Sequence, residues 1–390
     1  MKVVHFITRL ILGGAQENTL LTVEDQHHLF QDDVTLITGP GLGPEGSLIE
    51  RAQGGGLDVR IIPQLRRNIH LLRDASSYRD VVKLLKQIRP QIVHTHSTKA
   101  GIMGRAAAWE LGIPVVHTIH GPAFHAQQSR LAYEFYRGLE RWAAKGTDKL
   151  ISVCDAMSEQ YIAAGVAPRE KFVTVYSGME VEQFLNPART REEVRRELGF
   201  QPDEIVIGKV ARLFELKGHD DVIAAAKVIA SKNPKVRFLF VGDGILRDTL
   251  KEQIRAAGLE GRFVFTGLVP SQKVPELIGA MDIVVHTSLR EGLARVLPQG
   301  LISGKPVVSY DVDGAREVCI TDETGFLIPP REIDQLATAL LTLADSADLR
   351  LKMGETGRTR FTEQFRHENM TRHLREIYQQ VIDTRTSPKR

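Results

Sequence analysis

At 390 residues the chain is long enough for two domains with ample core, and its 42% hydrophobic and 25% charged content is that of an ordinary globular protein. A net charge of +3 is too small to argue for a nucleic-acid partner. The two cysteines, Cys154 and Cys319, form no metal-type spacing and fit a reducing cytoplasm, and no run approaches the ~20 apolar residues of a membrane span.

The opening MKVVHFITRLILGGA looks like a signal peptide, but His5 and Arg9 interrupt its apolar run and a glycine turn follows. Val3 to Thr8 is expected as a buried first strand and Ala15 to Glu24 as a helix. Between them, Gly13-Gly14 lets backbone N–H groups approach an anion, with a helix N-terminus behind; a plain tight turn is the alternative. Val34 to Thr38 reads as the second strand. After it, Gly41, Gly43 and Gly46 fit G-x-G-x-x-G, which raises a nicotinamide- or flavin-dependent oxidoreductase. That match follows the second strand rather than the first, contains Pro44, and opens a short segment ending in Gly54-Gly55-Gly56.

Tyr78 to Ile88 reads as an amphipathic helix ended by Pro90. The stretch Gln91 to Gly121 then gives strand, loop, helix, strand, with His96 ending one strand and His120 the next. The pairs His94/His96 and His117/His120 raise a metal. Alternation sends the first pair to one face and the second to opposite faces, and no neighbouring Asp or Glu completes a set. Ser129 to Lys145 is a basic helix with Arg130, Arg137, Arg141 and Lys145 near one stripe and aromatics interleaved. Such a helix lies on an anionic membrane or is solvated, and Glu134 and Glu140 dilute its charge. Lys149 to Val153 and Val173 to Tyr176 read as strands, and SGMEVEQFLNPART as a hinge.

A second α/β set begins at Ile205. Arg212 and Lys217 fall on the loop after its first strand, where a fork and a point charge suit a diphosphate; otherwise they are surface cations. Asp220 or Asp221 is expected to cap the next helix. Strands follow at Arg237 to Val241 and Phe263 to Thr266, the latter leading to Gly267-Leu268-Val269. Met281 to Gly314 reads as strand Ile283–His286, a break at Arg290-Glu291-Gly292, helix Ala294–Ile302 and strand Val307–Tyr310. This offers Glu291 to the ligand edge of a parallel sheet, with N–H groups near Leu293 and Ala294 favouring an anion. Gln299, eight positions on, lies about two turns along the helix and shares that side. Arg295 opposes the helix dipole, so it meets an anion or a salt bridge elsewhere. Asp348 to Phe365 and His373 to Ile382 read as closing helices before a frayed SPKR tail.

In combination these motifs resemble glycosyltransferase family 4, retaining enzymes of the GT-B fold. The segment from Glu291 is similar to the E-x7-E pattern, with Gln299 at the second Glu, and Glu291-Gly292-Leu293-Ala294-Arg295 stands at the E-G-F-G-L position. GGAQENTL resembles the G-G-x-E segment, shifted by one residue, which implies that the second glycine, Gly14, sits against the donor diphosphate. Arg212 and Lys217 match V-x-R-L-x-x-x-K-G, His120 matches a T-x-H-G segment near the donor sugar, and Gly267-Leu268-Val269 resembles a base-contacting loop. STKAGIMGR, with Lys99 and Arg105, also looks like a family pattern, without a clear role.

The resemblance implies an α/β GT-B fold of two doubly wound Rossmann-like domains facing a deep interdomain cleft. Residues 1–184 would bind acceptor, with a C-terminal helix of about 366–390 packing back on them, and 185–365 would bind nucleotide sugar. The implied reaction moves a sugar from a nucleoside diphosphate sugar, UDP ahead of GDP, to a sugar or lipid-linked acceptor hydroxyl with retention, in bacterial cell-surface polysaccharide or glycolipid synthesis. Glu291, Arg212, Lys217 and His120 carry it; Gly13, Gly14, Leu268, Val269, Leu293, Ala294, Arg295 and Gln299 bind substrate. No cofactor and no obligatory metal are implied. The D-x-D of Asp311-Val312-Asp313, which binds metal in the other large glycosyltransferase fold, is read as coincidence. The expected place is the cytoplasm, peripheral at an anionic membrane, with no nucleic acid. The alternative of another class is a nucleotide-sugar-binding protein that has lost catalysis, for which Gln299 is the best support.

Overall fold

The computed structural model describes residues 1–43, 46–125 and 128–386; Pro44 and the SPKR tail lie outside the described residues. The chain forms two compact units. One is Met1–Met179 together with the chain from Arg366 onward; the other is Glu180–Phe365. The division falls within the expected hinge, ahead of a short helix Glu182–Leu185 whose Phe184 is buried in the second unit.

The first unit is a seven-stranded parallel sheet in the order β3-β2-β1-β4-β5-β6-β7. Its strands are β1 (Lys2–Arg9), β2 (Asp33–Gly39), β3 (Asp58–Ile61), β4 (Ile92–His96), β5 (Val115–Ile119), β6 (Lys149–Ser152) and β7 (Phe172–Thr174). The central strands are buried on both faces, which explains their near-continuous β-branched runs. Helices Leu71–Ile88 and Thr98–Glu110 cover one face, with Val81, Leu85, Ala100 and Ala107 against Val4, Phe6 and Val93. The last helix, His367–Thr386, covers the other, packing Met370, Leu374, Ile377 and Val381 on Val3, Ile92, Val116 and Ile151.

The second unit is a six-stranded parallel sheet in the order β10-β9-β8-β11-β12-β13. Its strands are β8 (Ile205–Val210), β9 (Val236–Val241), β10 (Phe263–Gly267), β11 (Ile283–His286), β12 (Val307–Tyr310) and β13 (Gly325–Ile328). Both units are doubly wound α/β sheets with helices on the two faces, as expected.

Several boundaries differ from expectation. The helix ended by Pro90 starts at Leu71, seven residues early, because His70 accepts from the Arg73 N–H as its N-cap. The last helix starts at His367, anchored by Asp25, which accepts from His367 and Thr371. Neither Asp220 nor Asp221 caps helix His219–Lys232: its N-cap is Gly218, and Asp221 accepts from the Tyr310 hydroxyl at 2.8 Å. Glu140 does not dilute a surface charge. It is buried and paired with buried Arg105 at 2.8 Å, so Arg105 is structural. Among the described residues no helix is long and apolar enough to cross a membrane.

Candidate functional site

In an open parallel sheet, ligands collect outside the strand C-termini where the strand order reverses. In the second unit that point lies between β8 and β11. Arg212 and Lys217 follow β8 and Glu291 follows β11, so the fold brings these three to one edge. The Lys217 ammonium is paired with the Glu291 carboxylate. Arg212 is exposed, its guanidinium 5.0 Å from the Phe214 ring centroid, and no carboxylate pairs with it among the described residues.

The loop carrying Lys217 is held from below. Gly218 has φ 65°, and a Cβ there would stand 2.1 Å from the Thr287 carbonyl oxygen, so only glycine fits. The Thr287 hydroxyl donates to Gly218 O at 2.5 Å and accepts from Lys209 Nζ at 2.9 Å. The Glu291 loop is held as well: the Glu291 N–H donates to Asp313 at 2.7 Å and the Gly314 N–H to Gly292 O at 3.0 Å. Asp311 of the D-x-D accepts from Arg316 at 2.8 Å. Both carboxylates of that motif therefore have protein partners.

Burial pushes the Glu291 carboxyl up, but the His286 imidazole, 3.8 Å away, and the Lys217 ammonium outweigh it and hold it down at about 2. Glu291 is thus an acceptor-only carboxylate at ordinary pH. Lys209 is a site residue that sequence reasoning missed. It is 1% exposed, and burial together with the Lys217 charge brings its ammonium down to about 7. The signal was there: a lysine inside the otherwise apolar strand IVIGKV.

Gln299 is half-buried on helix Val296–Ile302. That helix begins two residues later than expected, because Ala294 is in the turn that accepts from the Leu297 N–H and Arg295 is the N-cap. Leu293 and Ala294 therefore precede the helix, and Arg295 is half-buried at its start. Leu268 and Val269 follow β10, where Gly242 and Gly267 pair the ends of β9 and β10; Leu268 is 74% exposed.

In the first unit the strand order reverses between β1 and β4. Gly13 and Gly14 follow β1 and open helix Gly14–His28; the backbone at Gly13 is extended, so its conformation is open to any residue. The run Leu10–Leu12 pairs back on Gly46–Leu48, and the helix after it, Ile49–Gly54, is only six residues. Gly41, Gly43 and Gly46 thus open no long helix, and the dinucleotide reading loses its structural context. His120 directly follows β5, half-buried, with Nε2 3.1 Å from His96 Nδ1. His94 and His96 share a face as expected, and the third ring beside them is His5 of β1, which sequence spacing did not bring in. Lys99 is tied to Asp74 at 2.8 Å. A groove of about 600 Å³ at this edge is lined by Arg9, Arg67, Lys99, Ile69, Phe135 and Tyr136 among others.

Two doubly wound halves, with two cations and a carboxylate at the switch point of the second, are the arrangement of the GT-B class. Residues 190–360 match the family described as glycosyl transferases group 1, and residues 13–178 the glycosyl transferase 4-like domain. A UDP-Gal:alpha-D-GlcNAc-diphosphoundecaprenol alpha-1,3-galactosyltransferase of Escherichia coli is 31% identical over 98% of this chain and 97% of its own. The putative glycosyltransferase EpsD of Bacillus subtilis is 28% identical over 85% of this chain and 88% of its own. The chain belongs to the GT-B glycosyltransferases. Its fold superposes on the UDP complex of Anabaena Alr3699/HepE with a TM-score of 0.81 at 21% identity, covering 97% of this chain and 100% of that one.

Proposed function

We propose that the chain is a retaining enzyme of glycosyltransferase family 4 that moves a hexosyl group from a UDP-sugar to a sugar or lipid-linked acceptor hydroxyl in cell-surface polysaccharide or glycolipid synthesis. The observation that carries this reading is the grouping of Arg212, Lys217 and Glu291 at the switch point of the second sheet. The anomeric C–O bond to the diphosphate breaks, a bond to the acceptor oxygen forms on the same face, and the departing phosphate takes the acceptor proton. Arg212 and Lys217 neutralise the charge that grows on the leaving diphosphate. The diphosphate competes with Glu291 for the Lys217 ammonium, which releases carboxylate oxygens to accept from donor-sugar hydroxyls. Leu268 and Val269 meet the base, Gln299 the ribose, and Leu293, Ala294 and Arg295 the phosphate side. Gly13, Gly14 and His120 are assigned to the donor diphosphate and sugar. No step calls for a metal, since Asp311 and Asp313 are engaged by Arg316 and the Glu291 N–H.

The groove beside Arg9 and Arg67 combines cations with Ile69 and Phe135, chemistry that suits a phosphate next to a lipid. The similar Escherichia coli enzyme acts, by its name, on a diphosphoundecaprenol-linked sugar. Helix Arg130–Lys145 exposes Leu131, Phe135 and Trp142 next to Arg141 and Lys145, which supports peripheral contact with an anionic membrane from the cytoplasmic side. The test is a thermal-shift panel of UDP- and GDP-sugars, followed by transfer to a short-chain lipid diphosphate sugar and NMR assignment of the product anomer. A UDP-sugar should raise the Tm, and an α-donor should give an α-product. Inverted product, or hydrolysis and transfer both absent with every stabilising donor, would overturn the reading.

A further inference from the structure

Helices Leu71–Ile88, Thr98–Glu110 and Arg130–Lys145 stand side by side in the first unit. The Tyr78 hydroxyl ties the first to the second, donating to Glu110 at 2.7 Å, and the buried pair of Arg105 and Glu140 ties the second to the third. These ties decide which residues point outward. In the first helix Val81 and Leu85 pack on the sheet, so Leu72, Arg79, Lys83 and Lys86 form the opposite stripe and are exposed. No carboxylate pairs with those three cations among the described residues. In the third helix Glu140, Ala143 and Ala144 are buried, and Leu131, Phe135 and Trp142 are on the outer side, Leu131 at 86% exposure.

Leu71 and Leu72 are 84% and 80% exposed in the first turn of their helix. A loose segment is not the reason. Lys99 Nζ donates to Asn68 O at 2.5 Å and to Asp74 at 2.8 Å, and Asp74 accepts from the His70 N–H at 3.0 Å. A turn pinned in this way holds two leucines in water, where they add little to the fold. Ile69, just before them, and Phe135 line the groove that also contains Arg9 and Arg67, so the apolar tips surround its edge. Clustered apolar side chains bordered by cations mark an interaction surface, whereas single ones do not.

We propose that this face docks on a bilayer of anionic phospholipid, with Leu71, Leu72, Leu131 and Trp142 entering the interface and Arg79, Lys83 and Lys86 meeting lipid phosphates. This rests on the reading that the acceptor is lipid-linked, and it gives that lipid a route from the bilayer to Arg9 and Arg67. Apolar tips standing apart between cations suit a fluid surface that closes around each. An isologous contact with a second copy would set the same cations against one another, and a soluble polyanion would leave the leucines in water.

The chain has two tryptophans, Trp109 and Trp142, and their ring centroids lie 6.0 Å apart on this face, so intrinsic fluorescence reports docking without a label. The full chain is titrated with phosphatidylcholine vesicles with and without phosphatidylglycerol, and with brominated lipid as quencher. Phosphatidylglycerol vesicles should shift the emission to the blue and brominated lipid should quench it, and salt should weaken both effects. Leu71→Gln with Leu72→Gln should weaken partitioning roughly tenfold or more. Arg79→Gln, Lys83→Gln and Lys86→Gln together should cost about fivefold per cation and remove the preference for phosphatidylglycerol. All five positions are exposed, so the Tm of both variants should match wild type. Transfer to a short-chain, water-soluble acceptor should be unchanged in both, while transfer to a long-chain lipid acceptor in vesicles should fall with binding. An equal response to both vesicles, no response to either, or undiminished binding by the leucine variant overturns the proposal, whatever the transfer assay gives. Self-association without vesicles that the leucine variant abolishes would assign the face to a second copy and also overturn it. Vesicle binding as stated, with no transfer to any acceptor, upholds the face and overturns the lipid-acceptor reading instead.

Discussion

Replacing Lys209 with methionine should stabilise the second domain, most at low pH. The side chain is 1% exposed and its ammonium falls from 10.5 to about 7, chiefly by burial. Between those values the unfolded chain binds the proton and the folded one does not, so wild-type stability rises with pH by about 1.4 kcal/mol per unit. Below about pH 7 the full cost is present: 3.5 units at about 1.4 kcal/mol gives an upper bound of about 5 kcal/mol. Methionine has similar length and no charge. It loses the bond to Thr287, about 1 kcal/mol, but leaves Thr287 donating to Gly218 O. A net gain of about 2–4 kcal/mol is expected at pH 6, roughly 5–10 °C in the Tm of a domain this size, and it should shrink to near zero or reverse by about pH 10. Urea unfolding of both proteins at several pH values measures it. Donor affinity should fall, because a bound diphosphate would raise the Lys209 pKa again and draw on its charge. A variant less stable at pH 6, or an advantage that does not change with pH, would refute the burial argument.

Arg212→Ala and Lys217→Ala should each lower kcat/KM by about two orders of magnitude or more, the scale of a lost transition-state charge contact. Chelator should leave wild-type activity intact in the same transfer assay. Gln299→Ala should raise KM for the nucleotide sugar more than it lowers kcat, whereas Gln299→Glu should tighten UDP by about 1 kcal/mol in calorimetry, as a charge-assisted ribose bond replaces a neutral one; Glu291→Gln should mainly lower kcat. Gly218→Ala should cost about 2 kcal/mol or more in unfolding free energy, because φ 65° and a Cβ 2.1 Å from Thr287 O cannot both be relieved without moving the Lys217 loop.

The sequence by itself determined the two α/β halves. Apolar runs such as VVHFIT and IVVH fit strands buried on both faces, and the loops after them carry the glycines, cations and Glu291 that mark a ligand edge. It missed β3 and β13, which lie at sheet edges and are short and partly exposed, so their pattern carries little burial signal. Only the tertiary structure decided which charge meets which partner. Sequence listed Lys99, Arg105, Glu140, Asp311 and Asp313 alongside Arg212 and Lys217, but packing ties the first five to Asp74, to each other, to Arg316 and to the Glu291 N–H. Apart from Asp311 and Arg316, five residues apart, these partners lie 22 to 35 residues apart, and no local pattern encodes that distance. The same holds for Lys209 and for His5 beside His94 and His96: periodicity puts each residue on a face, while the strand order chooses which faces meet.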